Sequence, residues 1–145
     1  MKAKIFLLMA IGVAVLLMQA CEEDPLGIFS DDPRDGLTGE WKVEENSSLF
    51  KKGTGGFYTV NISKEDSDTV TLYVNNFYEL GISQNVKVTL NGRNIDIPEQ
   101  TVKGYTIKGY GLTSFDFSKI DWSYTVLLDT GDRDDVTATY TRPQR

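Results

Sequence analysis

Histidine is absent from this chain and cysteine occurs once, at Cys21. Without histidine there is no Ser-His-Asp or Cys-His set, and a domain with neither histidine nor cysteine has poor means to build a zinc centre or a disulfide. We therefore expect no catalytic residues, no metal and no cofactor. Basic residues are also scarce, 15 against 21 acidic ones, a net charge of −6. That balance argues against nucleic acid as a partner, because phosphate binding needs a basic footprint. Only one long hydrophobic run exists, from Ile5 to Met18.

That run organises the amino end. Lys2 and Lys4 precede it, Ala20 and Cys21 follow it, and its 14 residues fall short of the roughly 20 that cross a bilayer. A basic start, an apolar centre and a small residue at the end describe a signal peptide over residues 1–20. Met18-Gln19-Ala20-Cys21 resembles the lipobox of bacterial lipoproteins, with Met18 where Leu is commoner and Gln19 where a small residue is usual. The resemblance implies cleavage before Cys21, a diacylglycerol on its sulfur and a lipid anchor in a membrane. A membrane-spanning helix and a secreted product with one unpaired thiol are the alternatives. After cleavage 13 basic residues face 21 acidic ones, a net charge of about −8, which favours solubility.

Residues 21–37 read as an acidic tether, with two prolines, six acids and little to bury. Glu22-Glu23-Asp24 resembles the surface-export signal of Bacteroidetes lipoproteins. It implies an outer-membrane protein exposed at the cell surface; a solvated spacer accounts for the same residues.

From residue 38 to 143 the pattern is all-β. Trp41 and Val43 alternate with Lys42 and Glu44, and Tyr58, Val60 and Ile62 with Thr59 and Asn61. Val70, Leu72 and Val74 continue the period of two, as do Val86, Val88 and Leu90. Asn91-Gly92 marks a two-residue hairpin, Ile95 and Ile97 follow, and Pro98 is expected to end that strand. Tyr105 and Ile107 come next, then Ile120, Trp122, Tyr124, Val126 and Leu128, and finally Val136, Ala138 and Tyr140. About eight strands with short connections predict an antiparallel meander that closes into a small barrel, a β-sandwich being the alternative. Gly104, Gly109 and Gly111 are expected to mark bulges or kinks at a barrel corner. Lys103-Gly104-Tyr105 recurs as Lys108-Gly109-Tyr110, and the spacing of five puts the two tyrosines on opposite faces.

Gly39-Glu40-Trp41 at the start of the first strand, with Arg142 at the end of the last, resembles lipocalins and other calycins. In that family the arginine packs across the tryptophan and closes one end of a barrel whose other end admits a small, often apolar, ligand. The resemblance implies the same closing role for Gly39, Trp41 and Arg142. The family's Thr-Asp-Tyr loop motif and terminal helix are missing here.

Asn76-Phe77-Tyr78-Glu79-Leu80-Gly81-Ile82 is apolar where a loop should be polar, so Phe77, Tyr78 and Leu80 are candidates to cover a ligand, or else they fill the core. Tyr58, Trp122 and Tyr124 fall on inward faces and are candidates to orient a small apolar ligand or stack a sugar ring. Lys87, Lys103 and Lys108 are the basic groups expected near the rims. Asp116 and Asp121 are the nearest approach to a paired-carboxylate hydrolase, and acids beside strand ends are more often solvated turn residues. The acid-rich run from Asp129 to Asp135 does not match a calcium loop and reads as a polar hairpin. Asp68-Thr69-Val70 resembles the acceptor motif of Bacteroidetes O-glycosylation, though a strand-opening turn explains it equally. Two functions follow: an anchored barrel holding a small apolar or amphipathic ligand, or a surface module with a solid core that contacts a glycan or a partner membrane protein.

Overall fold

Alternation of apolar and polar residues gives each strand one face for burial, and eight such strands close on themselves. A computed structural model of the chain describes residues 32–50 and 57–143. The proposed signal peptide, Cys21, the acids Glu22, Glu23 and Asp24 and the tether up to residue 31 lie outside the described residues. The strands are β1 (Gly39–Ser47), β2 (Phe57–Lys64), β3 (Thr71–Asn75), β4 (Asn85–Asn91), β5 (Asn94–Val102), β6 (Tyr105–Thr113), β7 (Lys119–Leu127) and β8 (Arg133–Thr141). Each is antiparallel to its neighbours in sequence, and β8 returns to β1, so the sheet is a closed barrel without an edge to protect.

Several local expectations change in the structure. Val70 is exposed and β3 begins one residue later, with Thr71 buried, because Asp68 turns the chain there by accepting from the Val70 and Thr71 amides. Pro98 does not end β5: it falls in a bulge between Ile97 and Gln100, where a missing amide costs no ladder bond, and pairing with β6 resumes at Gln100. The hairpin after β4 turns on Gly92 and Arg93, since Asn91 pairs with Asn94; φ is positive at Gly92 alone, the type II′ pattern.

Gly109, opposite Ile97, lies beside the β5 bulge, whereas Gly111 marks no bulge or kink. β6 pairs with β7 without a break, Gly109 opposite Tyr124 and Gly111 opposite Trp122. A Cβ on Gly111 would stand 2.6 Å from the Trp122 ring, and one on Gly109 would meet the β7 backbone at Ser123 and Tyr124. These glycines make room for two large rings inside the barrel. Gly104 shapes the tight β5–β6 turn, in which Lys103 and Gly104 both have positive φ.

One end of the barrel is closed by packing. Trp41 is fully buried and its Nε1 donates to the Leu37 carbonyl at 2.8 Å. The Arg142 guanidinium lies 4.0 Å from the Trp41 ring centroid and donates to the carbonyls of Thr38 (2.8 Å) and Gly36 (2.5 Å). Gly36 in turn abuts the Phe117 ring. The last residues of the acidic stretch, Asp32 to Leu37, pack against this end. Arg34 is buried there, bonded to Asp32 and to the carbonyls of Glu65 and Thr71.

Candidate functional site

The opposite end is covered by the β3–β4 connection, residues 76–84. Asn76, Tyr78 and Glu79 all adopt left-handed backbone angles, a conformation that costs tyrosine and glutamate about 1–3 kcal/mol each and persists only where surrounding contacts impose it. Those contacts reach five other strands or turns. Asn76 Nδ2 donates to the Thr59 carbonyl on β2, and Lys103 Nζ to the Leu80 carbonyl. Phe77 is fully buried, its ring 4.7 Å from that of Tyr124 and 5.9 Å from that of Trp122. Tyr78 packs edge-on against Tyr105 and Tyr124 and donates to Asp134 on β8 at 2.7 Å.

Two carboxylates organise the polar side of this interior. Glu45 follows Trp41 and Val43 on the inward face of β1, and its Oε2 accepts from Tyr58 at 2.6 Å and Tyr124 at 2.5 Å. Burial raises the pKa of both phenols, so they stay protonated donors. Asp134 is 0% exposed and accepts from Tyr78, from the Ser47 and Ser48 hydroxyls and from the Ser48 and Leu49 amides. Burial pushes its pKa up, but the donors, Ser47 and Tyr78 foremost, outweigh that and hold it below the ordinary carboxylate value. Asp134 is therefore a structural hub rather than part of a solvated hairpin loop. Neither acid was singled out from the sequence. The available signal was phase, since Glu45 sits two residues after Val43 and Asp134 two before Val136 on otherwise apolar faces.

The structure thus gathers Phe77, Tyr78, Leu80, Trp122, Tyr124 and Tyr58 at one end, with Gly39, Trp41 and Arg142 at the other. Phe77, Trp122, Tyr124 and Tyr140 are 0–3% exposed. Phe77 packs against Trp122 and Tyr124, and Trp122 against Tyr140, between the sheet walls. Among the described residues, Trp122 Nε1 is buried without a hydrogen-bond partner. Lys103 reaches the cap, whereas Lys108 pairs with Glu99 on the outer wall and Lys87 is exposed on β4.

Asp116 and Asp121 do not form a pair across a cleft. Asp116 caps the β6–β7 turn by accepting from Ser114 and Ser118, which lower its pKa to about 2. Asp121 lies on the outer face, bonded to Lys119 and Thr139.

The outer wall carries a different feature. Cross-strand register aligns Thr89, Asp96, Tyr110, Ser123 and Thr137 in one row over β4 to β8. Tyr110 is the lone aromatic of that row and is 63% exposed, with a shallow groove on either side. One groove, of about 400 Å³, is lined by Thr89, Asn91, Asn94, Ile95, Asp96, Tyr110 and Gly111. The other, of about 370 Å³, runs past Lys108, Ser123, Thr125, Arg133, Asp135 and Thr137. Leu112 and Phe115 extend the exposed apolar surface, with Arg93 stacked 3.7 Å from the Phe115 centroid.

The chain matches no known protein-family model, and no curated protein matches it either.

Proposed function

We propose that this protein is a lipid-anchored binding module of the outer membrane that meets its partner with the outside of the barrel, the interior serving as a packed scaffold. One contrast carries the reading: Phe77, Trp122, Tyr124 and Tyr140 in the interior are 0–3% exposed while Tyr110 on the outer wall is 63% exposed between two grooves. A site for a drug-sized ligand needs a concave space of about 300–1,000 Å³, whereas Phe77, Tyr78, Trp122, Tyr124 and Tyr140 pack ring against ring. The anchor rests on Met18-Gln19-Ala20-Cys21, and surface exposure on the acids after Cys21. No catalytic role is assigned. A carboxyl held at about 2, as Asp116 is, would be a poor general acid.

A second reading keeps one observation. Among the described residues Trp122 Nε1 is buried without a partner, and such a group usually finds one. A small amphipathic ligand admitted beneath the Phe77–Tyr78 cap would supply it.

Titration with neutral and anionic fluorescent amphiphiles separates the two. The protein lacking residues 1–20, with Cys21→Ser and a native near-ultraviolet circular dichroism spectrum, should show no saturable binding. Micromolar binding that is lost in Phe77→Ser and Tyr78→Ser would overturn the packed-scaffold reading. The anchor has its own check, mass spectrometry of the membrane-extracted protein, which should find Cys21 as the modified first residue.

A further inference from the structure

The outer wall supports an assignment that rests on the module reading and makes it chemical. We propose that Tyr110 and the groove formed by Thr89, Asn91, Asn94 and Asp96 are a binding site for a neutral saccharide.

Strand register creates the groove. Thr89 pairs with Asp96, Asp96 with Tyr110, and Asn91 with Asn94, so four short polar side chains lie beside one large ring. The Gly111 backbone completes the boundary. Tyr110 cannot turn inward, because the period of two that places Gly109 and Gly111 against the Tyr124 and Trp122 positions inside sends residue 110 out. Demand for interior space therefore produces an exposed ring flanked by glycine.

The groove's polar groups are unspent. Among the described residues, no hydrogen bond or ion pair engages the side chains of Thr89, Asn91, Asn94 or Asp96. The other groove differs: Arg133, Asp135 and Thr125 bond one another there. Two amides, each able to donate and accept, a hydroxyl that does both and an acceptor-only carboxylate face a single aromatic wall.

That set matches a pyranose. A sugar ring has an apolar C–H face for the phenol and a rim of hydroxyls that each donate and accept. Asp96 would accept hydrogen bonds from adjacent hydroxyls, and Asn91 and Asn94 would both donate and accept. Anionic ligands are disfavoured, because the lining contains a carboxylate and no basic residue. An acyl chain would leave four polar groups unpaired. A protein partner would be expected to find a desolvated anchor pocket, which an open groove beside a ring does not offer. Asp96 is moreover not part of any cluster of three metal-ligating side chains among the described residues.

The experiment probes an array of neutral and acidic oligosaccharides with the full-length protein in detergent micelles, then measures the strongest ligand by titration. We expect retention of at least one neutral oligosaccharide. Tyr110→Ala should weaken it about tenfold or more, as loss of an aromatic hot spot does, and Asn91→Ala and Asp96→Asn several-fold. Thr137→Ala, in the other groove, should leave affinity unchanged. Neutral-saccharide binding that survives Tyr110→Ala would overturn this site while leaving the module reading intact. Retention of acidic sugars alone, or of no sugar by a folded sample, would overturn the ligand class. Saturable amphiphile binding lost in Tyr78→Ser would be the separate failure of the module reading itself.

Discussion

Tyr78 and Asp134 are 56 residues apart in sequence and joined by a 2.7 Å hydrogen bond that ties the β3–β4 connection to β8 across the barrel mouth. The bond explains how a tyrosine with a left-handed backbone and an aspartate with no solvent exposure coexist. Each removes the other's reason to move. Ser47, Ser48 and the Leu49 amide complete the carboxylate's shell, so the cap and the end of β1 share one anchor.

Acid should loosen this cap. Asp134 has a folded-state pKa below its ordinary 3.8, so the unfolded chain binds its proton more readily than the folded one. The stabilisation is complete above the unfolded value and is lost as pH falls through the folded one. The protection factors for hydrogen exchange in residues 76–84 should fall below about pH 4. In Asp134→Asn that dependence should flatten, with a lower melting temperature already at pH 7.

Removing only the hydroxyl tests the same bond without emptying the site. Tyr78→Phe keeps the contacts with Tyr105 and Tyr124 and should cost about 1.5–3 kcal/mol, the usual range for a hydrogen bond to a charged group. Urea denaturation would measure it. A change within experimental error would mean the remaining donors compensate.

At the closed end, Trp41→Ala should cost about 3–5 kcal/mol, since it empties a fully buried aromatic site. Arg142→Lys should also destabilise. A lysine keeps the charge but not the planar group that both covers the indole and donates to two carbonyls. Thermal melts of both variants against the parent provide the check.

Gly111→Ala isolates the interior packing. Its new Cβ would fall 2.6 Å from the Trp122 ring, and overpacking of that kind costs about 1–3 kcal/mol. Near-ultraviolet circular dichroism should register the displaced indole along with the lower melting temperature.

Local pattern was enough for much of the architecture. Alternation in Trp41–Val43, Val86–Val88–Leu90 and Trp122–Tyr124–Val126 assigned strands and faces, and short connections with glycine turns implied a closed antiparallel meander, which is the fold found. Even the opposite facing of Tyr105 and Tyr110 follows from a spacing of five. What the pattern could not supply is which residues meet across the barrel. The β1–β8 pairing that sets Val43 beside Tyr140, the register that lines up Asp96 with Tyr110, and the Tyr78–Asp134 bond all join distant parts of the chain. A period of two states only the side a residue faces; strand order, register and closure decide its neighbours. Burial was decided at the same level: Tyr124 and Trp122 fit inside because Gly109 and Gly111 opposite them yield their volume, an exchange between two strands that neither strand's sequence contains alone.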